Sequence, residues 1–184
     1  MTPIALIEPR QAPLLARSYF ADGDPGPIVA ALAQVPELLT VAVPLLGTAL
    51  GPSALNLRTK EIVIVRTSAL AGCRYCVQAH TTVALDAGLS HDEVAALRAE
   101  RNVDTVFTSE RELALLRWID VVAASHGPVE DADRSGIRQH FADHEVVELT
   151  AVIGVTLLLN RFATSLALPT GPETLQRLAE ENFL

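Results

Sequence analysis

Apolar positions recur at helical spacing along most of the chain, and sustained strand-like alternation is scarce. In residues 57–70 the positions Ile62, Val65, Ala69 and Leu70 share one helical face, with Asn56 placed to cap the helix. Ile62-Val63-Ile64-Val65 taken alone would suit a buried strand, but fourteen residues without a breaker favour helix. Gly72 separates this helix from a second, Cys73–Ala87, which Gly88 stops. Ser90 with Glu93 three residues on forms a capping box for a third helix running to about Glu100.

A long amphipathic helix follows, capped by Thr108 or Ser109. It carries Leu113, Leu116, Ile119 and Val122 on one face and ends near Ser125, before Gly127-Pro128. A polar helix is expected from about Glu130 to Phe141. Glu145–Leu166 is apolar nearly all round, which places it at the domain centre. Its strongly apolar part, Leu149–Leu159, reads as too short to span a bilayer. Pro169 to Pro172 break the chain before a short C-terminal helix.

The start of the chain is different. Residues 1–13 hold Pro3, Pro9 and Pro13 and read as an extended arm; Leu14–Phe20 reads as a short helix. Between Ile28 and Leu57 the only charged residue is Glu37. Pro36, Pro44 and Pro52 are expected to cut this region into pieces of roughly two turns, with Pro36 opening a helix. So apolar a region is core, subunit interface or both, and a homo-oligomer is expected. The elements together predict an all-α fold, one domain over residues 1–184, with a central helical hairpin.

Charge and cysteine content narrow the function. The 184 residues carry a net charge of −8 with no basic run, which argues against nucleic acid as a partner. No signal peptide or membrane span is read, and two cysteines do not make a secreted disulfide framework. A cytoplasmic protein with a functional thiol pair is the expectation.

Those cysteines, Cys73 and Cys76, are spaced C-x-x-C, and His80 follows four residues later on the same helical face. Glu61 precedes Cys73 by twelve residues. At ~1.5 Å rise per residue, an antiparallel hairpin turning at Gly72 brings the Glu61 carboxylate level with the His80 ring. Three readings of the pair stand side by side. Free cysteines pack as small hydrophobes. Cys73, Cys76, His80 and Glu61 could supply four zinc ligands, although structural zinc sites usually draw on more sulfur or histidine. Redox chemistry is favoured: cysteines at i, i+3 can close a disulfide, and a thiol at a helix N-terminus ionises readily. His80 is then placed to take a thiol proton, and Glu61, flanked by Ile62 to Val65, needs a partner such as His80. Histidines 91, 126, 140 and 144 lie in polar contexts and are assigned no chemistry. Asn160-Arg161 interrupts the most apolar helix, as helix-end solvation or as a buried polar contact near the site.

The pattern Glu-x11-Cys-x2-Cys-x3-His, carried by Glu61, Cys73, Cys76 and His80 with Ser68 between, resembles the alkylhydroperoxidase D-like family of the carboxymuconolactone decarboxylase superfamily. Ala84 to Ser90 resemble that family's A-x-x-A-G-L-S continuation, and the likeness covers about residues 55–98. The resemblance implies an all-helical fold, a trimer or a hexamer of trimers, and hydroperoxide reduction through a dithiol–disulfide cycle. No cofactor or metal is implied. Partners would be the hydroperoxide and a dithiol reductant or redox partner protein. It implies Cys76 as peroxidatic, Cys73 as resolving, and Glu61 with His80 as a proton relay. Tyr75 departs from the pattern, standing where the best-described members carry a second histidine. The superfamily's decarboxylase branch lacks the cysteine pair. A non-catalytic disulfide carrier or switch for a partner enzyme is the alternative.

Overall fold

The computed structural model describes residues 2–124 and 127–184, and every regular element among them is helical. Two 3₁₀ segments, Pro9–Gln11 and Leu14–Phe20, precede α1 (Pro27–Leu32), α2 (Pro36–Leu50), α3 (Leu57–Leu70), α4 (Arg74–Asp86) and α5 (His91–Leu97). A 3₁₀ turn at Val103–Thr105 leads to α6 (Glu110–Ala124), α7 (Asp131–Arg138), α8 (Asp143–Ser165) and α9 (Pro172–Glu180). The expected end of the long amphipathic helix at Ser125, and His126, lie outside the described residues.

Helix α3 is the structural centre. It packs against α4, α8 and α6, and Lys60 to Val65, Thr67 and Ser68 are all buried. The caps are those the sequence calls for: Asn56 accepts from the Thr59 N–H at 2.8 Å, and Ser90 with Glu93 closes a capping box. Gly72, at φ +65°, makes the reversal between α3 and α4, a backbone conformation that favours glycine.

Lys60 is fully buried among apolar neighbours, and its ammonium is saturated. It donates to the carbonyls of Ala49 (2.8 Å) and Gly51 and pairs with Glu148 of α8 at 2.7 Å. The last carbonyls of α2 are thereby tied to α3 and α8.

Two expectations are corrected. Pro44 does not cut its region, because α2 runs through it from Pro36 to Leu50. Pro44 is exposed, so the backbone bond it cannot make lies on the solvent side, where water can take the freed carbonyl. Helix α8 is not buried all round. Leu149, Val152, Ile153, Thr156, Asn160 and Ala163 form its inner face, while Val147, Ala151, Gly154 and Leu158 face out. It also extends well beyond Leu149–Leu159: at 23 residues it is long and apolar enough to cross a membrane by length and composition, a test that core helices also pass. The N-terminal arm, outside regular structure but for the 3₁₀ segment Pro9–Gln11, lies against the body of the protein. Ile7 N–H donates to the Ala30 carbonyl at 3.1 Å, and Ile4 and Leu6 pack on the cluster that contains both cysteines.

Candidate active site

The hairpin of α3 and α4 assembles the site. Ser68, in the last turn of α3, accepts the Cys73 N–H on its carbonyl at 3.0 Å, which holds the turn closed. Cys73 then caps α4: its sulfur accepts the Cys76 N–H at 3.4 Å. The remaining spacing is helical, so Cys76 and His80 stand one turn apart on α4. Across the hairpin, His80 Nδ1 lies 3.0 Å from Glu61 Oε2. The Glu61 side chain is only 3% exposed, and His80 is the polar partner that offsets its burial.

Both thiols are free and buried, with sulfurs 2.9 Å apart. They sit in an apolar nest with Ala31, Ala163 and Leu168. The two are electrostatically unequal. The bond from the Cys76 thiol, helped by the Cys76 N–H and by Thr164 and Asn160, pulls Cys73 down to about 6. Cys76 is pushed up by the same bond, by burial and by the Cys73 charge. At neutral pH the pair thus carries one negative charge and shares one proton, with the charge resting on Cys73 at the N-terminus of α4.

Tyr75 is half-buried and raised to about 12, by burial first and then by the two thiols. It keeps its proton at neutral pH, so the position offers no second base. Two clefts reach Cys73: one of about 240 Å³ between Tyr75 and Thr164, the other of about 360 Å³ between Gln78 and Phe183. Among the described residues no three His, Cys, Asp or Glu side chains gather into a metal-binding group.

The structure therefore brings Glu61, His80, Cys73 and Cys76 to one hairpin and puts Ser68 directly behind the cysteine turn. It adds one residue from far along the chain. Asn160 of α8, 1% exposed, donates from Nδ2 to Ser68 Oγ at 3.0 Å. A polar pair inside the most apolar helix was the available sequence signal, but only packing selects the buried-contact reading. Of the histidines assigned no chemistry, His91 pairs with Glu181 at 2.8 Å and stacks on Phe183.

Comparison with known proteins finds a matching family model and solved structures of the same fold. The model of the carboxymuconolactone decarboxylase family matches residues 36–121, a span that includes Glu61, Ser68, Cys73, Cys76 and His80. A crystal structure from Agrobacterium tumefaciens, of a protein of unknown function with a suggested AhpD role in antioxidant defence, is 27% identical. It aligns over 77% of this chain and 95% of its own, with a TM-score of 0.70. A peroxidase-related protein from Ralstonia eutropha JMP134 with an alkylhydroperoxidase AhpD core shares the fold at 20% identity and a TM-score of 0.83, over 94% of both chains. The debrominase Bmp8, solved with 2,3,4-tribromopyrrole, shares it at 18% identity and a TM-score of 0.78, over 98% of this chain and 100% of its own.

Proposed function

We propose, for a chain that belongs to the alkylhydroperoxidase D-like family of the carboxymuconolactone decarboxylase superfamily, a thiol-dependent peroxidase activity that cycles Cys73 and Cys76 between dithiol and disulfide. The observation that carries the reading is the pair of free sulfurs 2.9 Å apart, one turn from a histidine bonded to a buried carboxylate.

Cys76 is the peroxidatic thiol and Cys73 the resolving one. The resting charge lies on Cys73, so the shared proton first moves across the short S···S contact and leaves the charge on Cys76. Cys76 thiolate attacks the terminal peroxide oxygen; the O–O bond breaks and a sulfenic acid forms. The leaving alkoxide takes a proton from solvent through His80. Because Nδ1–H donates to Glu61, Nε2 is the free nitrogen for that transfer. Cys73 then attacks the sulfenic sulfur. Its proton leaves with the hydroxyl as water, and the disulfide closes. A dithiol reductant or a reduced partner protein delivers two electrons and restores both thiols by exchange. The reading places the protein in the cytoplasm, where such reductants keep thiols reduced.

The exposed apolar residues Leu38, Val41 and Leu45 on α2, and Val147 and Leu158 on α8, support a homo-oligomer as the working form, and the family resemblance makes it a trimer or a hexamer of trimers.

The test is to add one molar equivalent of hydroperoxide to the reduced protein. Both thiols should disappear, with a mass loss of two hydrogens per chain, and a small dithiol should sustain repeated turnover. A disulfide that equilibrates with dithiols but gives no peroxide-dependent turnover would instead identify an electron carrier or switch for a partner enzyme.

A further inference from the structure

The buried amide of Asn160 has a donor and an acceptor that the thiol cycle as described above does not use. Nδ2 carries two hydrogens, and one is committed to Ser68 Oγ at 3.0 Å. Ser68 is itself fully buried, and its carbonyl holds the Cys73 N–H, so the amide is clamped to the residue that fixes the cysteine turn. One turn further along α8, Ala163 is packed in the same nest as Cys73 and Cys76, so the inner face of α8 at this level is turned to the sulfurs. The Asn160 carboxamide acts on both thiols and favours the charged form of each. Its Oδ1 is buried with no hydrogen-bond partner.

We propose that Asn160, clamped by Ser68, sets the redox poise of the Cys73/Cys76 pair by donating a hydrogen bond to the reduced, singly charged pair that the neutral disulfide cannot accept in equal strength. Reduction of the disulfide takes two electrons and one proton from a dithiol and leaves one thiol and one thiolate. The amide meets a full negative charge in that product, where a bond from a neutral donor is strongest and the surroundings are dry. In the oxidised state the same N–H faces uncharged sulfur, a weak acceptor, and a buried donor without a good partner is costly. Asn160 therefore stabilises the dithiol over the disulfide and makes the disulfide the more easily reduced. Because the amide acts on both sulfurs, its bond can follow the charge from Cys73 to Cys76 when the shared proton moves. Asn160 is a positioning residue and touches no substrate in this scheme.

The inference rests on the dithiol–disulfide reading of the pair but not on a hydroperoxide being the substrate, and its test uses none. The full-length protein is equilibrated in glutathione redox buffers, and the disulfide fraction is read by thiol trapping and mass. In parallel, the pH dependence of iodoacetamide alkylation is followed. For Asn160→Ala the equilibrium should move about tenfold toward the disulfide, which is ~30 mV for a two-electron couple. Its alkylation profile should move to higher pH. Ser68→Ala removes only the clamp, a small change in volume, and should shift both readouts in the same direction by less; it also serves if Asn160→Ala does not fold. Variants that lose thermal stability while both readouts match the wild type would make Asn160 purely structural and overturn the proposal. A wild-type protein that never forms the Cys73–Cys76 disulfide would instead remove the redox reading beneath it.

Discussion

Glu61 and His80 are 19 residues apart in the chain and 3.0 Å apart in the structure, joined from Oε2 to Nδ1 across a helical hairpin. The carboxylate is nearly inaccessible, and the ring is about a quarter exposed, so the pair runs from the core toward solvent. Such a carboxylate holds the imidazole in one tautomer and stabilises its charge when it gains a proton. Glu61→Gln keeps the shape but removes that charge. We expect peroxide reduction at pH 7 to slow by ~10²-fold, the low end for general acid–base catalysis. With Cys73 replaced, no neighbouring thiolate can take the Cys76 proton, and it must pass to His80 or to hydroxide. The pH profile of Cys76 alkylation in a Cys73→Ser background should move to higher pH; an unmoved curve would make Glu61 a structural carboxylate. His80→Ala should behave alike, with the double variant little worse than either single one.

The assignment of the two cysteines is open to direct trapping. Cys73→Ser should hold the oxidised enzyme as a sulfenic acid on Cys76, detectable with a dimedone adduct, because the resolving sulfur is gone. Adducts found only on Cys73, in Cys76→Ser, would reverse the roles. The resting charge on Cys73 would then mark the attacking sulfur and not the resolving one.

The unequal thiols predict a pH-dependent stability of the reduced protein. Cys73 is lowered to about 6 from an ordinary 9.0, and Cys76 is raised above it. Between those two pH values the unfolded chain keeps both thiol protons while the folded pair keeps one, so stability rises with pH in that window. The Cys73 contribution is complete above the unfolded value and is lost as pH falls through about 6. Above about 9 the unfolded Cys76 ionises while the folded one does not, and stability falls again. Urea midpoints of the reduced wild type should therefore climb from pH 6 toward pH 9 relative to Cys73→Ser. Parallel curves for the two proteins would contradict the shared-proton picture.

Light scattering at micromolar concentration should give the mass of a symmetric oligomer. Val41 and Leu158 are 65% and 57% exposed on the outer faces of α2 and α8, and a glutamate at either place should lower that mass if the face is the interface. A monomer mass for the wild type would remove the oligomer and leave the thiol chemistry as it stands.

Much of the fold and the heart of the site were legible in the sequence because they are local. Asn56, Ser90 with Glu93, Gly72 and Gly88 act on backbone groups within a few residues, so their caps and turns follow from chemistry and spacing alone. The C-x-x-C pair and His80 share a face for the same reason, since helical period places them together wherever the helix lies. What the tertiary structure decided is what distant elements do to one another. Pro44 reads as a breaker until its side of α2 is known to face solvent. Helix α8 reads as central until its outer stripe is seen uncovered, because composition records how apolar a helix is and not which neighbours reach it. Asn160 and Ser68 are 92 residues apart, and no spacing rule connects them. The sequence determined that two thiols would stand on one helix turn beside a histidine. Only the packing of α8 and of the chain's first residues around them decided how deeply they are buried and which sulfur rests with the charge, because both depend on the dielectric and the hydrogen bonds that remote residues supply.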